Sequence, residues 1–292
     1  MIRSMTGFGA AEYLDDRVRV AVEVKAVNNR FVKLNLRTPE GLGAIEVDID
    51  RLVRQHITRG TVNLTLAVSP RGAAARAPIN TDVLMAYRDD LAAAGQRMGA
   101  AADLGALLAL PGVVGDEKVV LTGITGLADR IRQVVAEALE RLDAMRSAEG
   151  AATAADMEAS LADIARRLKT IAARGPQVVA EYRDRLRERV QALLDGTELP
   201  VDDASLAREV AFYAERSDIN EEAARLASHA EQFRALLGES GPGGRKLEFL
   251  AQEMHREVNT LGSKSNDADL AREVVEIKVD VDRLREQSQN VE

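Results

Sequence analysis

The stretch FLAQEMHREVNTLGSKSND, residues 249–267, places Glu253 and Glu257 one helical turn apart, with His255 between them and Lys264 in the polar segment that follows. Carboxylates and an imidazole at this density can ligate a divalent ion or move protons. Helical geometry sorts them. With Met254 as the centre of the apolar stripe, Glu257 falls about 60° and Glu253 about 100° to one side, and His255 about 100° to the other. The two glutamates share an edge that His255 does not, and the spacing is not HExxH, which puts two histidines on one face.

A second acidic edge precedes the first. Around Leu226, Glu222 lies at about 40°, His229 at about 60° and Asp218 at about 80°, all on one side. Like charges one turn apart cost roughly 0.2–0.5 kcal/mol in an isolated helix, and partial burial beside an apolar stripe raises that cost. A cation between the two helices would remove the repulsion. The candidate metal ligands are therefore Asp218, Glu222, Glu253 and Glu257, and an all-oxygen set selects Mg²⁺ or Mn²⁺. Arg225 and Arg256, three residues from Glu222 and Glu253, offer the competing arrangement of ordinary ion pairs. His229 is the candidate for proton transfer, since free imidazole titrates at about 6.5. The candidate phosphate binders are Arg3, Arg30, Arg245, Lys246 and Lys264. Arg3 precedes Thr6-Gly7-Phe8-Gly9, whose backbone N–H groups could face a phosphate, although glycines there more often make turns. There is no GxxxxGK[ST], GxGxxG or GxSxG motif.

The elements that must carry these residues change along the chain. RVRVAVEVKAV (17–27), FVKLNLR (31–37) and TVNLTLAV (61–68) alternate as half-buried strands, and IEVDIDRLVRQHI (45–57) reads as a helix between them. Asn28-Asn29 suits a tight turn. Residues 70–80 read as a linker, and beyond them the pattern is helical: 124–148, then 152–174 and 177–195 separated by Gly175-Pro176. Three further helices are expected at 205–238, 245–261 and 267–288, with Gly238 and Gly262 as C-caps and Asn266 with Asp269 as an N-terminal cap. The fold class is α+β: a small N-terminal antiparallel sheet unit followed by a mostly helical body with long antiparallel helices and a C-terminal three-helix segment. The expected division is 1–80, 81–204 and 205–292.

Composition narrows the function classes. No cysteine is present, which excludes disulfides and thiolate zinc sites and fits the cytosol. Apolar runs are too short to span a bilayer. The net charge of -8 argues against a generic nucleic-acid coat. Residues 1–80 nevertheless hold 12 Lys/Arg against 8 Asp/Glu and so carry +4, which could place phosphates on that region and metal on the acidic remainder. Aromatic residues make up only 3%, which argues against a base-stacking platform.

Whole words of the sequence add to this. MIRSMTGFG (1–9), VEVKAVNNRFVKLNLR (22–37), RGTVNLTL (59–66), REVAFYAERSDINEEAARLASHAEQF (208–233) and GRKLEFLAQEMHREVNTLGSKSND (244–267) resemble the YicC family of bacterial proteins. RSAEG (146–150) and EYRDRL (181–186) extend the likeness through the middle. The resemblance implies a cytoplasmic, divalent-metal-dependent endoribonuclease acting as a homo-oligomer, a hexamer among the forms, that encloses RNA. His255 stands where the family more often has Asn, which agrees with the face argument. The roles follow from the residues here, not from the family. Asp218, Glu222, Glu253 and Glu257 would hold the metal, with Glu222, Glu257 and His229 catalytic. Arg3, Arg30, Arg216, Arg245, Lys246 and Lys264 would bind RNA phosphates. The rival reading is a non-catalytic RNA-binding or adaptor oligomer regulating RNA turnover, with the acidic rows serving as salt bridges.

Overall fold

Val18, Val20, Val22 and Val24 are buried, while Arg19, Glu23 and Lys25 at alternate positions are exposed. The alternation therefore makes a strand with one dry face, as its period of two requires. The computed structural model of the chain describes residues 2–29, 31–98, 104–114, 121, 124–195, 201–239 and 243–292. Four strands, β1 (Gly7–Leu14), β2 (Val18–Val27), β3 (Lys33–Arg37) and β4 (Thr61–Pro70), form one sheet in the order β1-β2-β4-β3. The α+β class holds, with one difference at the edge. β1, β2 and β4 pair antiparallel, but β3 runs parallel to β4. Parallel neighbours need a crossover, and helix α1 (Gly43–His56) supplies it. Asn28 and Asn29 consequently close no hairpin. The Asn29 amide instead donates to Thr61 Oγ1 at 2.9 Å.

The chain divides into two compact units, Met5–Arg146 and Met1–Ser4 with Ser147–Glu292. In the first, the dry face of the sheet packs with Ile45, Ile49 and Val53 of α1 and with Ile131, Val134, Ala138 and Leu142. The latter four belong to helix α4 (Leu127–Leu194), which follows α2 (Thr81–Met98) and the short α3 (Leu104–Leu107). Gly9 explains the glycine word near the start. A Cβ placed there would lie 2.1 Å from the Ala138 carbonyl oxygen and 2.7 Å from the Leu142 nitrogen. Gly9 lets β1 lie directly on the backbone of α4, so its role is close packing, not phosphate binding.

The second unit contains the rest of α4, with α5 (Asp203–Arg216), α6 (Asn220–Gly238), α7 (Gly244–Lys264) and α8 (Ala268–Ser288). Three expectations about this part need correction. No break occurs at Gly175-Pro176. Pro176 lies inside α4, where it lacks the N–H that would reach Ala172. Packing on both sides carries the helix through, because Ile171 and Val178 are both buried. The expected 205–238 helix is two helices, since the Ser217 hydroxyl donates to the Tyr213 carbonyl at 2.8 Å and Asp218 Oδ1 accepts from the Asn220 N–H at 2.9 Å. Such side-chain bonds compete with the helix ladder. Neither Gly238 nor Gly262 ends its helix through positive φ: α7 runs past Gly262 to Lys264. The apolar stripes of α6, α7 and α8, among them Leu226, Phe233, Met254, Leu261, Ile277 and Leu284, meet in one core.

The cap of α8 is Asp267, one residue beyond the expected Asn266. Its Oδ1 accepts from the N–H groups of Asp269 and Leu270, and Oδ2 accepts from Arg174 at 2.9 Å. The Arg174 hydrogen bond, aided by the two amides, holds the Asp267 carboxyl below the usual carboxylate range. An acid depressed in the folded state stabilises it above the unfolded pKa, about 3.9, and loses that contribution as pH falls. We expect Asp267→Ala to cost about 1 kcal/mol in urea unfolding at pH 7. The difference should shrink below pH 4, where the native chain loses the same interaction; a gap that stays constant with pH would contradict the account.

Candidate active site on a helix seam

Helices α6 and α7 are joined by ion pairs that involve one glutamate of each predicted acidic edge, Glu222 and Glu257. Glu222 and Glu257 are buried, an unusual state for carboxylates, which are almost never buried unless paired. Two ion pairs cross the seam. Lys264 Nζ donates to Glu222 Oε1 at 2.7 Å, and the Arg225 guanidinium lies 3.8 Å from Glu257 Oε1. Arg225 also pairs with Glu221 on its own helix. Glu222 Oε2 is buried with no hydrogen-bond partner. Lys264 can reach Glu222 because it sits in the last turn of α7 and not in the loop that the polar sequence suggests.

The other predicted residues are placed as follows. Glu253, half-buried, lies one turn before Glu257 on α7. Asp218 is exposed and precedes α6, so it does not continue the Glu222 edge along one helix. His229 is half-buried on α6 with its Nδ1 buried and unpartnered. It is two turns beyond Glu222, about 10 Å along the axis, so the two side chains are not neighbours on one turn. Among the described residues, no group of three or more His, Asp or Glu side chains is arranged to hold a metal ion. Arg245 and Lys246 are exposed in the first turn of α7, and Arg216 is exposed at the end of α5 over the Phe212 ring, 5.8 Å from its centroid. Arg3 is exposed, while its backbone exchanges two 2.8 Å hydrogen bonds with Glu292. Arg30 lies outside the described residues.

His255 faces away from this seam. It lies 3.4 Å from Asp282 of α8, and Asn259 joins it to Lys278. Sequence reasoning missed the pairing of Arg225 with Glu257. The available signal was that Arg225 borders the same stripe as Glu222, where a long side chain can cross to the next helix.

The whole chain matches known proteins. Residues 2–155 match the model of the family described as "Endoribonuclease YicC-like, N-terminal region", and residues 171–292 that of "Endoribonuclease YicC-like, C-terminal". The chain belongs to the YicC-like endoribonuclease family. The enzyme class that goes with membership in the YicC-like family is endoribonuclease. Two relatives are similar over 100% of both chains: "Probable endoribonuclease YicC" of Clostridioides difficile strain 630, 35% identical, and the protein of the same name from Haemophilus influenzae, 31% identical. Among the described residues no helix is long and apolar enough to cross a membrane.

Proposed function

We propose that this chain hydrolyses phosphodiester bonds within RNA with the help of a divalent ion, at the seam between α6 and α7. The observation that carries the reading is the buried, unpartnered Oε2 of Glu222 on α6, with a second buried carboxylate, Glu257, on α7, to which α6 is ion-paired. Mg²⁺ typically keeps several waters and takes one or two carboxylates together with substrate phosphate oxygens. In this reading Glu222 and Glu257 would hold the ion, with Glu253, one turn before Glu257, as a further carboxylate. Asp218, exposed just before α6, would join the set from outside that edge, with the oxygen not committed to Asn220. When bound, the ion would supply an activated water and offset charge on the phosphorane-like transition state.

The chain's own residues do the rest. Lys264 neutralises Glu222 in the absence of substrate, and an incoming phosphate competes for the same ammonium. Arg216, Arg245 and Lys246 are exposed cations able to bind further phosphates, and Arg3 and Arg30 complete the proposed set. His229 would take or give the proton that hydrolysis moves. Self-association, with a hexamer as one form, belongs to the same reading; it is supported by α5, which buries none of its residues.

The test is cleavage of a structured RNA by the purified protein with Mg²⁺ or Mn²⁺, and with EDTA. Internal cleavage that EDTA abolishes and added Mg²⁺ restores is the expected result. Undiminished cleavage in EDTA would remove the metal from the mechanism, and binding without cleavage would favour the adaptor.

A further inference from the structure

The sheet has a second face. One side is buried against α1 and α4, and the other is open, as single-layer antiparallel sheets allow. The register sets a row across all four strands of that open side: Phe8 opposite Lys25, Lys25 opposite Asn63, and Asn63 opposite Asn35. Each of these side chains is exposed. Lys33 and Arg37 flank Asn35 on the edge strand, pointing the same way by alternation, and both are exposed. Phe31, of the same parity, is 70% exposed just before that strand.

A solvated sheet face ordinarily carries mixed polar residues and needs no ligand. This one departs in three respects. It exposes two of the chain's five phenylalanines, Phe8 on the β1 edge and Phe31 beside the β3 edge, one ring at each side of the face. Lys25 Nζ stands 5.6 Å from the Phe8 ring centroid, and Lys33 and Arg37 share the face with two acids, Glu23 and Glu12, of which Glu12 is paired with Arg19 at 2.6 Å. The surplus is positive in a chain whose net charge is -8. Finally, Asn35 donates to Asn63 at 2.8 Å, which fixes two amides side by side and leaves each with further hydrogen-bonding capacity.

Cations for phosphates, phenyl rings for base faces and amides for base edges are the three components by which sheets take single-stranded RNA. We propose that this open face binds a single-stranded segment of the RNA substrate; the proposal rests on the reading of the chain as an RNA-cleaving enzyme. The duplex grooves would not use the rings, because paired bases are stacked on each other.

The experiment is fluorescence anisotropy of the full-length protein with a labelled single-stranded RNA of about ten nucleotides, in EDTA so that the probe survives. Phe8→Ala with Phe31→Ala should weaken binding at least about tenfold. Lys25→Ala with Lys33→Ala and Arg37→Ala should lower the slope of log affinity against log salt by about 2, at roughly 0.7 for each phosphate left without its cation. All five side chains are exposed, so urea midpoints should stay at the wild-type value. Wild-type affinity and slope in both variants would overturn the proposal, as would failure of the wild type to bind at low salt. A changed sedimentation coefficient of the RNA-free variants would also overturn it, marking the face as an interface between copies. Cleavage with metal is read separately: a chain that binds through this face but never cuts would defeat the proposed hydrolysis and leave the sheet assignment standing.

Discussion

Glu257→Gln should reduce RNA cleavage at least about a hundredfold, the scale of losing one charged partner of a metal or transition state, with the fold retained. The substitution keeps the shape, removes the charge and replaces one acceptor oxygen by an NH2 donor. Glu257 is buried where Arg225 approaches at 3.8 Å, so a neutral amide there costs that weak pair and little packing. The informative comparison is His255→Asn. His255 lies two residues away but on the opposite side of α7, against Asp282 of α8. It should leave cleavage at the wild-type rate. Both variants should match the wild type in circular dichroism and sedimentation. A folded Glu257→Gln protein that cleaves normally would sink the assignment of the seam, and an equal loss in both variants would show that the assay reads helix packing.

Gly9→Ala should destabilise the chain by about 3 kcal/mol, toward the upper end for an added methyl group. Its Cβ would meet the Ala138 carbonyl oxygen at 2.1 Å and the Leu142 nitrogen at 2.7 Å. These are backbone atoms of α4, and no rotamer change can move them. Gly43→Ala provides the opposite expectation. It lies at the start of α1 with nothing within 4 Å of the added carbon, so the better helix former should stabilise by several tenths to about 1 kcal/mol. Urea unfolding of both separates close packing from a general aversion to substituting glycine. A neutral Gly9→Ala would show that β1 does not lie on α4 as described.

Much of this was legible in the sequence where a period decided it. The valines of β2 and the stripes of α6, α7 and α8 are buried as their spacing requires. Counting 100° per residue also separates His255 from Glu257, and the structure gives them different partner helices. The misses occurred where long-range packing overrode local preference. Pro176 reads as a break, yet burial of Ile171 and Val178 sustains α4 through it. The parallel placement of β3 depends on where α1 returns the chain, which alternation does not record. Lys264 follows a glycine in a polar run, and only the continuation of α7 brings it to Glu222. The Ser217-Asp218 break was marked in the sequence, because both residues favour bonding to nearby backbone.

The hydrogen bonds between Arg3 and Glu292 impose an order on biosynthesis. Residues 2–4 are made before the Met5–Arg146 unit, but they belong to the unit built from Ser147–Glu292, where Arg3 and Ser4 pair with Glu292 and Val291. The Met5–Arg146 unit can close while the rest of the chain is still being made, as units generally do during synthesis. Its neighbour must wait until Val291 and Glu292 are made, leaving the apolar Ile2, buried in the folded unit, without its partners until then. A circular permutant that begins at Ser147 and joins Glu292 through a short linker to residue 1 would remove that wait, by making each unit contiguous in sequence.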